Sequence, residues 1–526
     1  MPRFTRTTVL LLLFAFLASA CGLLAGPTEP PIPTATRPEV REEAAPWWRE
    51  IVFYEIFVRS FKDSDGDGIG DFNGIVEKLD YLQELGVGGI WLMPIHPSPS
   101  YHGYDVTDYY AVNPDYGTME DFKRLLEEAR KRNIRVIIDL VLNHTSNQHP
   151  FFRAALDSAS PFHDWYIWSD APQAWGQWHP TQPNGPYYYG FFCECMPDLN
   201  YANPEVTAEM EKVVNFWLAD VGVDGFRLDA AKHLFEADGR IENVPATHEW
   251  FAEFYRGYKS VAPEAYTVGE VYGAGAFLAK TYESQMDQVF NFELASGFLN
   301  SANAGVISAV DSAYKFSLNN MPNGNYATFL ANHDQNRVMT VLNGNVEKAK
   351  VAAALLLTAP GTPFLYYGEE IGMTGAKPDE MIRTPMQWSA DANAGFTLGV
   401  PWEPVNPDFA QVNVAAQTDD PASLLAHYRA LVRLRNAHPA LRTGSATLVP
   451  TNHPSVFALL RADENEAILA LVNLGGEFVR AYQLDLREIA GKSLRPLFGW
   501  ESSELPLSPH PIEELAPYAV SIFQIR

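Results

Sequence analysis

Between Ile51 and Arg435 the chain alternates short runs of β-branched and aromatic residues with longer stretches whose apolar positions recur at helical spacing. A strand buried on both faces is apolar throughout, whereas the helix that crosses back over it is apolar along one face, so this alternation predicts repeated βα units around a parallel sheet. Strands are predicted at 51–57, 89–93, 136–140, 225–228, 266–269, 288–292, 327–331 and 363–367. Eight such units predict an α/β fold, a (β/α)8 TIM barrel. The alternation stops after the third strand, where residues 145–203 are dense in Trp, Tyr, Pro and Gly and have no helical period; an inserted lobe is expected there. The barrel is therefore read in two parts, 47–144 and 204–440. Apolar residues at helical spacing over 424–437 close it, and the short alternating strands of 441–526 predict a C-terminal antiparallel β-sandwich.

The first twenty residues follow a different pattern. Arg3 and Arg6 precede an unbroken apolar run from Val9 to Ala18, and small residues end at Ala20, as in an export signal. The run is too short for an ordinary transmembrane helix. Cys21 follows directly and resembles the lipidated cysteine of bacterial lipoproteins, although Ala18 stands where such signals carry Leu; cleavage after Ala20 and release is the alternative. Residues 22–46 contain prolines at 27, 30, 31, 33, 38 and 46, a composition that stays extended and suits a tether. The expected location is outside the cytoplasm, secreted or held at a membrane only through this lipid. The protein is expected to be a monomer.

Composition narrows the chemistry. Lys plus Arg number 38 against 64 Asp plus Glu, a net charge of −26, which excludes nucleic acid as a partner because a polyanion is bound through clustered cations. Hydrophobic residues at 47% and charged residues at 19% require a large folded core. Beyond Cys21 the cysteines are Cys193 and Cys195, without histidines at zinc-site spacing. A ring closed across one intervening residue is strained, so free thiols are expected.

A parallel barrel presents its reactive groups at the C-terminal ends of its strands. Acidic residues occupy those ends one after another: Asp139-Leu-Val-Leu-Asn143-His144, Arg227-Leu-Asp229, Gly269-Glu270 and Asn332-His333-Asp334. Residues two apart in a strand share a face, so Arg227 and Asp229 point together into the mouth, and the fixed charge of Arg227 is expected to keep Asp229 ionised. A single Asp at a strand end is most often a cap or an ion-pair partner. Carboxylates converging on one mouth repel each other unless a cationic ligand or chemistry requires them. Glycoside hydrolysis is chemistry that needs two carboxylates in different protonation states. Asp229 then suits the nucleophile, Glu270 the acid and base, and Asp334 the stabiliser of the oxocarbenium ion.

These motifs resemble the α-amylase family, glycoside hydrolase family 13, from about residue 50 to the C-terminus: Asp139 to His144, Gly225-Phe-Arg-Leu-Asp-Ala-Ala-Lys-His233, Gly269-Glu270-Val271 and Ala331-Asn-His-Asp334. The resemblance implies the same three catalytic roles for Asp229, Glu270 and Asp334. It implies sugar contacts at Tyr104, His144, Arg227 and His333, and contacts beyond the cleavage point at Lys232 and His233. Arg383-Thr-Pro-Met-Gln-Trp388 resembles the oligo-1,6-glucosidase branch. Lys232-His233 and Tyr101-His-Gly-Tyr104 resemble α-amylases instead, and exo-acting glucosidases usually carry an acid where Tyr101 stands. Met196-Pro-Asp-Leu-Asn200 is similar to a bacterial group intermediate between oligo-1,6-glucosidases and neopullulanases. The expectation is an endo-acting, retaining hydrolase of α-1,4-glucans. An exo-acting α-glucosidase on short oligosaccharides is the first alternative, and a maltodextrin-binding lipoprotein without activity the second.

Asp63-Ser-Asp65-Gly-Asp67-Gly-Ile69-Gly-Asp71 places oxygens at positions 1, 3, 5, 7 and 9 of a loop with Gly at 6, as an EF-hand begins, but Gly74 stands where the bidentate Glu would be. Carboxylates this close repel without a cation. The expected ligand is calcium on Asp63, Asp65, Asp67, Ile69 and Asp71, as in the first barrel loop of oligo-1,6-glucosidase relatives; a turn that binds nothing is the alternative. Asn143 and Asp198, with the His233 carbonyl, are a further calcium candidate by the same resemblance.

Overall fold

Alternate residues of the first strand face opposite ways, and this sets the layout of the barrel. In the computed structural model, which describes residues 45–526 except 274, 488, 490 and 492, strand β1 (Phe53–Ile56) turns Tyr54 and Ile56 outward to the helices and Phe53 inward. The expected export signal, the Cys21 lipidation site and the tether up to residue 44 lie outside the described residues.

The parallel sheet continues through β2 (Gly89–Leu92) and β3 (Arg135–Leu140). The inserted lobe then contributes three short antiparallel strands, β4 (Trp168–Ser169), β5 (Trp178–Pro180) and β6 (Tyr187–Tyr189). The barrel resumes with β7 (Gly225–Leu228), β8 (Tyr266–Gly269), β9 (Gln288–Val289), β10 (Ala327–Thr328) and β11 (Thr362–Tyr366). β11 pairs with β1, and a single parallel bridge from Phe290 to Ala327 joins β9 to β10 and completes the circle. All eight predicted strands are present, with β1, β9 and β10 shorter than their apolar runs. Gly225 has φ +152°, and a Cβ there would lie 1.9 Å from the carbonyl oxygen of Tyr266, so β7 and β8 reach this spacing only with glycine.

The helices follow their sequence signals. Thr118 and Asp121 form a reciprocal capping box on helix Met119–Lys131, whose buried residues Phe122, Leu125, Leu126 and Ala129 have one-face spacing. Inside the barrel, Phe53, Trp91, Ile137, Tyr266, Val268, Phe290 and Phe364 fill the lower interior, and Trp48 packs with them. This apolar filling supports a polar layer of Glu55, Asp139 and Arg227 above it.

The C-terminal region holds a six-stranded antiparallel sheet of β12 (Ser445–Leu448), β13 (Val456–Ala462), β14 (Ala467–Asn473), β15 (Ser493–Phe498), β16 (Leu505–Pro506) and β17 (Val520–Ile525), in the order β12-β13-β14-β17-β15-β16. Phe457, Leu459, Ile468 and Ala470 face the barrel, while Val456, Ala458, Leu469 and Leu471 join Val479, Leu484 and Leu515 in a second core. The outer layer of the expected sandwich is thus chain held by isolated bridges, Thr451 to Leu484 and Val479 to Leu515. At the seam, Arg435 and Arg461 are buried and donate to the carbonyls that end helix Val346–Thr358: Arg435 to Leu357, Ala359 and Gly361, Arg461 to Thr358.

Candidate active site

The mouth of the barrel is built on Arg227. Its side chain is 1% exposed, lies over the Trp91 ring at 5.2 Å, and reaches the carboxylates of three strand ends. Nη1 donates to Asp139 Oδ1 at 2.9 Å and to Asp229 Oδ1 at 2.7 Å, and Nη2 to Glu270 Oε2 at 3.0 Å. The backbone amide of Ala230 adds a donor to Glu270 at 3.2 Å. Asp334 is held apart from this group: Arg383 Nη2 lies 2.8 Å from its Oδ1, and His333 Nε2 3.3 Å from its Oδ2.

Sharing one guanidinium changes the electrostatics expected for Asp229. Burial raises its carboxyl, Arg227 pulls it back, and Glu270, Asp139 and Asp334 push it up again, so the net direction is well upward. The spacing of Arg227 and Asp229 foretold their contact and missed the competitors. Asp139 is raised to about 6, burial outweighing Arg227. Asp139 and Asp229 thus both draw on one guanidinium, and burial outweighs it at each. Asp334 moves the other way, to about 2: burial alone would raise it, but His333, Arg383, Arg227 and Lys377 outweigh burial.

The remaining predicted contacts divide into two levels. Tyr104, His144, Lys232 and His233 line a cleft of about 970 Å³ together with Asp229, Glu270 and Asp334. Among the described residues His144 Nε2 is buried without a hydrogen-bond partner, while burial lowers the ring to about 3 and keeps it neutral. Lys232 is paired with Glu242 at 2.7 Å, and His233 is stacked on Phe191 with ring centres 4.1 Å apart. Arg227 and His333 lie below the cleft surface, His333 fully buried under the Tyr104 ring. The Tyr104 hydroxyl stands 2.6 Å from His333 Nε2 and 3.2 Å from Asp139 Oδ2.

Several lining groups had no place in the sequence reading. Phe192 and Tyr272 are 43% and 61% exposed and line the cleft; Asp379 also lines it and pairs with Arg383 at 3.1 Å. Glu55, 1% exposed beneath His333, carried one signal, an acid in the middle of an apolar strand. Tyr101 stacks on Trp402 with ring centres 5.3 Å apart and has the Arg383 guanidinium over its other neighbourhood at 5.9 Å.

Cys193 and Cys195, which also line the cleft, form a disulfide, which corrects the expectation of free thiols. The turn closed by Met196 N–H on the Cys193 carbonyl at 3.1 Å leaves the two Cα atoms 5.2 Å apart, within bridging range.

In the acidic loop, one oxygen each of Asp63, Asp65 and Asp71 lie within 4.8 Å of one another, a spacing that suits a hard cation with ligands at about 2.3–2.6 Å. Asp67 lies outside that cluster and instead accepts the Ile69 amide at 2.7 Å. Burial would raise Asp63, but the Thr397 hydroxyl and the amides of Gly66, Gly68 and Asp65 outweigh it and hold the carboxyl low. Gly68 makes the loop possible: at φ +97° a Cβ would meet the Val400 carbonyl oxygen at 1.9 Å. Asp71 also caps helix Phe72–Leu85 through the Gly74 amide. In the inserted lobe, Asn143 Nδ2 donates to Asp198 at 3.0 Å; burial raises Asp198 to about 8 and neighbouring Glu236 to about 9.

Comparisons with known proteins agree with this geometry. The α-amylase catalytic domain family matches residues 55–444. Alpha-amylase 3 of Dictyoglomus thermophilum is 43% identical over 437 residues, covering 82% of this chain and 85% of that protein. Oligo-1,6-glucosidase of Parageobacillus thermoglucosidasius is 33% identical over 569 residues, covering 91% and 99%. The crystal structure of α-amylase from H. orenii superposes with a TM-score of 0.79 at 40% identity, covering 90% of this chain and 99% of that one. The chain is an enzyme of the α-amylase family, a glycoside hydrolase built on a TIM barrel.

Proposed function

We propose that this enzyme cleaves internal α-1,4 bonds of starch-like glucans with retention of configuration. The observation that carries the reading is the joint attachment of Asp229 and Glu270 to Arg227 in a cleft that Asp334 also lines. In the reactive state Asp229 is the carboxylate paired with Arg227 and Glu270 carries the proton; Asp229 attacks the anomeric carbon while Glu270 gives its proton to the departing glycosidic oxygen, the C–O bond breaks and a glycosyl ester forms on Asp229. Glu270, now a carboxylate, takes a proton from water as that water attacks the same carbon and frees Asp229. Asp334, anionic through Arg383 and His333, stabilises the positive charge on the sugar in both steps. His144 Nε2 meets a ring hydroxyl, and the Tyr104 ring stacks under the sugar.

Endo cleavage is supported by the resemblance at Tyr101, a position where exo-acting relatives usually carry an acid and whose ring here packs on Trp402, and by a cleft whose lining continues past the carboxylates to Lys232, Phe192 and Tyr272. The greater identity to an α-amylase than to an oligo-1,6-glucosidase points the same way. Arg383 to Trp388 favours the exo-acting alternative. Calcium on Asp63, Asp65 and Asp71 would be structural, tying the first barrel loop to the start of the following helix. The apolar run from Val9 to Ala18, with small residues to Ala20 and then Cys21, supports export and a lipid anchor, which a Cys21→Ala variant released from the membrane fraction would establish.

The deciding experiment uses amylose with a blocked terminal sugar. Blocked oligosaccharides of mixed length are expected; an intact polymer alongside glucose release from unblocked maltose would assign the exo reading instead.

A further inference from the structure

A buried pair under the cleft stands outside these roles. Glu55 Oε1 and His333 Nδ1 are 2.6 Å apart, at 1% and 0% exposure for the two residues. The other nitrogen of the ring, Nε2, is 2.6 Å from the Tyr104 hydroxyl oxygen. That oxygen also accepts from Arg227 Nη1 at 3.3 Å and donates to Asp139 Oδ2 at 3.2 Å. A continuous chain of hydrogen bonds thus runs from β1 to the guanidinium that holds Asp229 and Glu270.

The chain can run in two directions, and a hydroxyl has one proton to give. When Nε2 carries a hydrogen, it donates to Tyr104, and Tyr104 donates onward to Asp139; each partner is then satisfied. When Nε2 is bare, it competes with Asp139 for the single Tyr104 proton. Asp139 then loses a donor and leans more heavily on Arg227, at the expense of Asp229 and Glu270. Which case holds depends on what faces each nitrogen, because the two are linked through the tautomer: Asp334 Oδ2, 3.3 Å from Nε2, favours a hydrogen there, and the group at Nδ1 supports or opposes it.

Resting on the glycosidase reading above, we propose that Glu55 is a positioning residue. Its carboxyl group shares a proton with His333 Nδ1 and so keeps Nε2 a donor, directing the chain from His333 through Tyr104 to Asp139. The shared proton serves equally whether it sits on Oε1 or on Nδ1, since Nε2 keeps its hydrogen in both cases. Burial disfavours the ionised form of each partner, raising Glu55 and lowering His333, which suits a neutral pair with the proton on the carboxyl. Trp91, edge-on to His333 with ring centres 5.6 Å apart, fixes the ring from the side.

The test compares Glu55→Gln with Glu55→Leu in the purified enzyme on a maltodextrin. The glutamine carboxamide still donates to Nδ1, so kcat is expected within about three-fold of wild type. Leucine offers nothing to Nδ1; kcat is expected to fall roughly 10 to 100-fold with KM changed by less than about three-fold. Leucine leaves buried Nδ1 without a partner, so the unfolding temperature of Glu55→Leu is expected to fall, and its kcat is read on the folded fraction. Equal kcat values for the two variants would overturn the proposal. An arm independent of turnover reads the proton itself. A proton resonance far downfield of the backbone amides is expected in wild type and absent from both Glu55→Gln and His333→Gln. Its persistence in Glu55→Gln would overturn the proposal, whether or not Glu55→Leu folds. Absence of hydrolysis by wild type would refute the glycosidase reading and leave the resonance to decide the pairing.

Discussion

Buried charge occurs in two places that obey different rules. At the seam with the C-terminal sheet, Arg435 and Arg461 are surrounded by backbone carbonyls, and among the described residues neither forms an ion pair. Their cost of burial is offset locally by hydrogen bonds to a helix end, where the peptide dipoles favour a cation. At the barrel mouth, Asp139, Asp229 and Glu270 gather around Arg227, and Asp334 pairs with Arg383. There the acids outnumber the cations, and burial pushes Asp139 and Asp229 upward despite their contact with Arg227. A buried charge that the fold has neutralised is structural. A buried excess of acid that the fold leaves standing is what the proposed mechanism uses to stabilise a positive transition state.

That contrast is sharpened most by Asp229→Asn, which removes one acid from the excess. Turnover should fall on the order of 10⁴-fold with the far-ultraviolet circular dichroism unchanged; near-normal hydrolysis would remove the basis of the site. Arg435→Met is the counterpart at the seam. It takes away three hydrogen bonds to carbonyls and should cost about 3 kcal/mol of stability by denaturant titration. The kcat of the folded fraction should match wild type, and a large kcat loss would show that the two regions are coupled. Chelation of calcium should lower the unfolding temperature by several degrees through the Asp63, Asp65 and Asp71 loop, with little change in kcat before unfolding; an identical melting curve in chelator would assign that loop no metal.

The smallest effect concerns acid stability. Asp334 is depressed to about 2, so its ionised form contributes stability above the ordinary carboxylate value near 3.9, and that contribution is lost as pH falls toward 2. Asp334→Asn should therefore lower stability modestly in the neutral range and flatten part of the decline across that window, the two proteins converging as pH falls toward 2. Its carboxylate is 40% exposed, so solvent screening keeps the effect modest. A steeper acid decline in the variant would reverse the sign assigned to this group.

Sequence by itself determined the architecture and the chemical inventory of this protein. Apolar runs and helical faces located all eight barrel strands because burial on both sides of a parallel strand leaves no room for polar alternation. The strand-end motifs identified Asp229, Glu270, Asp334 and Arg227 because a barrel exposes its reactive groups there whatever the packing beneath. The acidic loop was legible from spacing alone, as a turn that fixes alternate oxygens. Tertiary structure decided how charge is shared. Arg227 and Asp229 are two apart, and their contact follows from strand geometry, but burial, with Glu270 and Asp139 arriving at the same guanidinium from other strands, reverses the expected shift of Asp229. His333 belongs to a recognisable motif, yet its partner Glu55 is 278 residues away and meets it only when β11 joins β1 and the barrel closes. The disulfide of Cys193 and Cys195 likewise depends on a turn whose curvature the C-x-C spacing does not reveal. Local pattern reports which residues face the interior; the energy of a buried charge depends on every other charge within a few ångströms, and those neighbours are assembled by the fold.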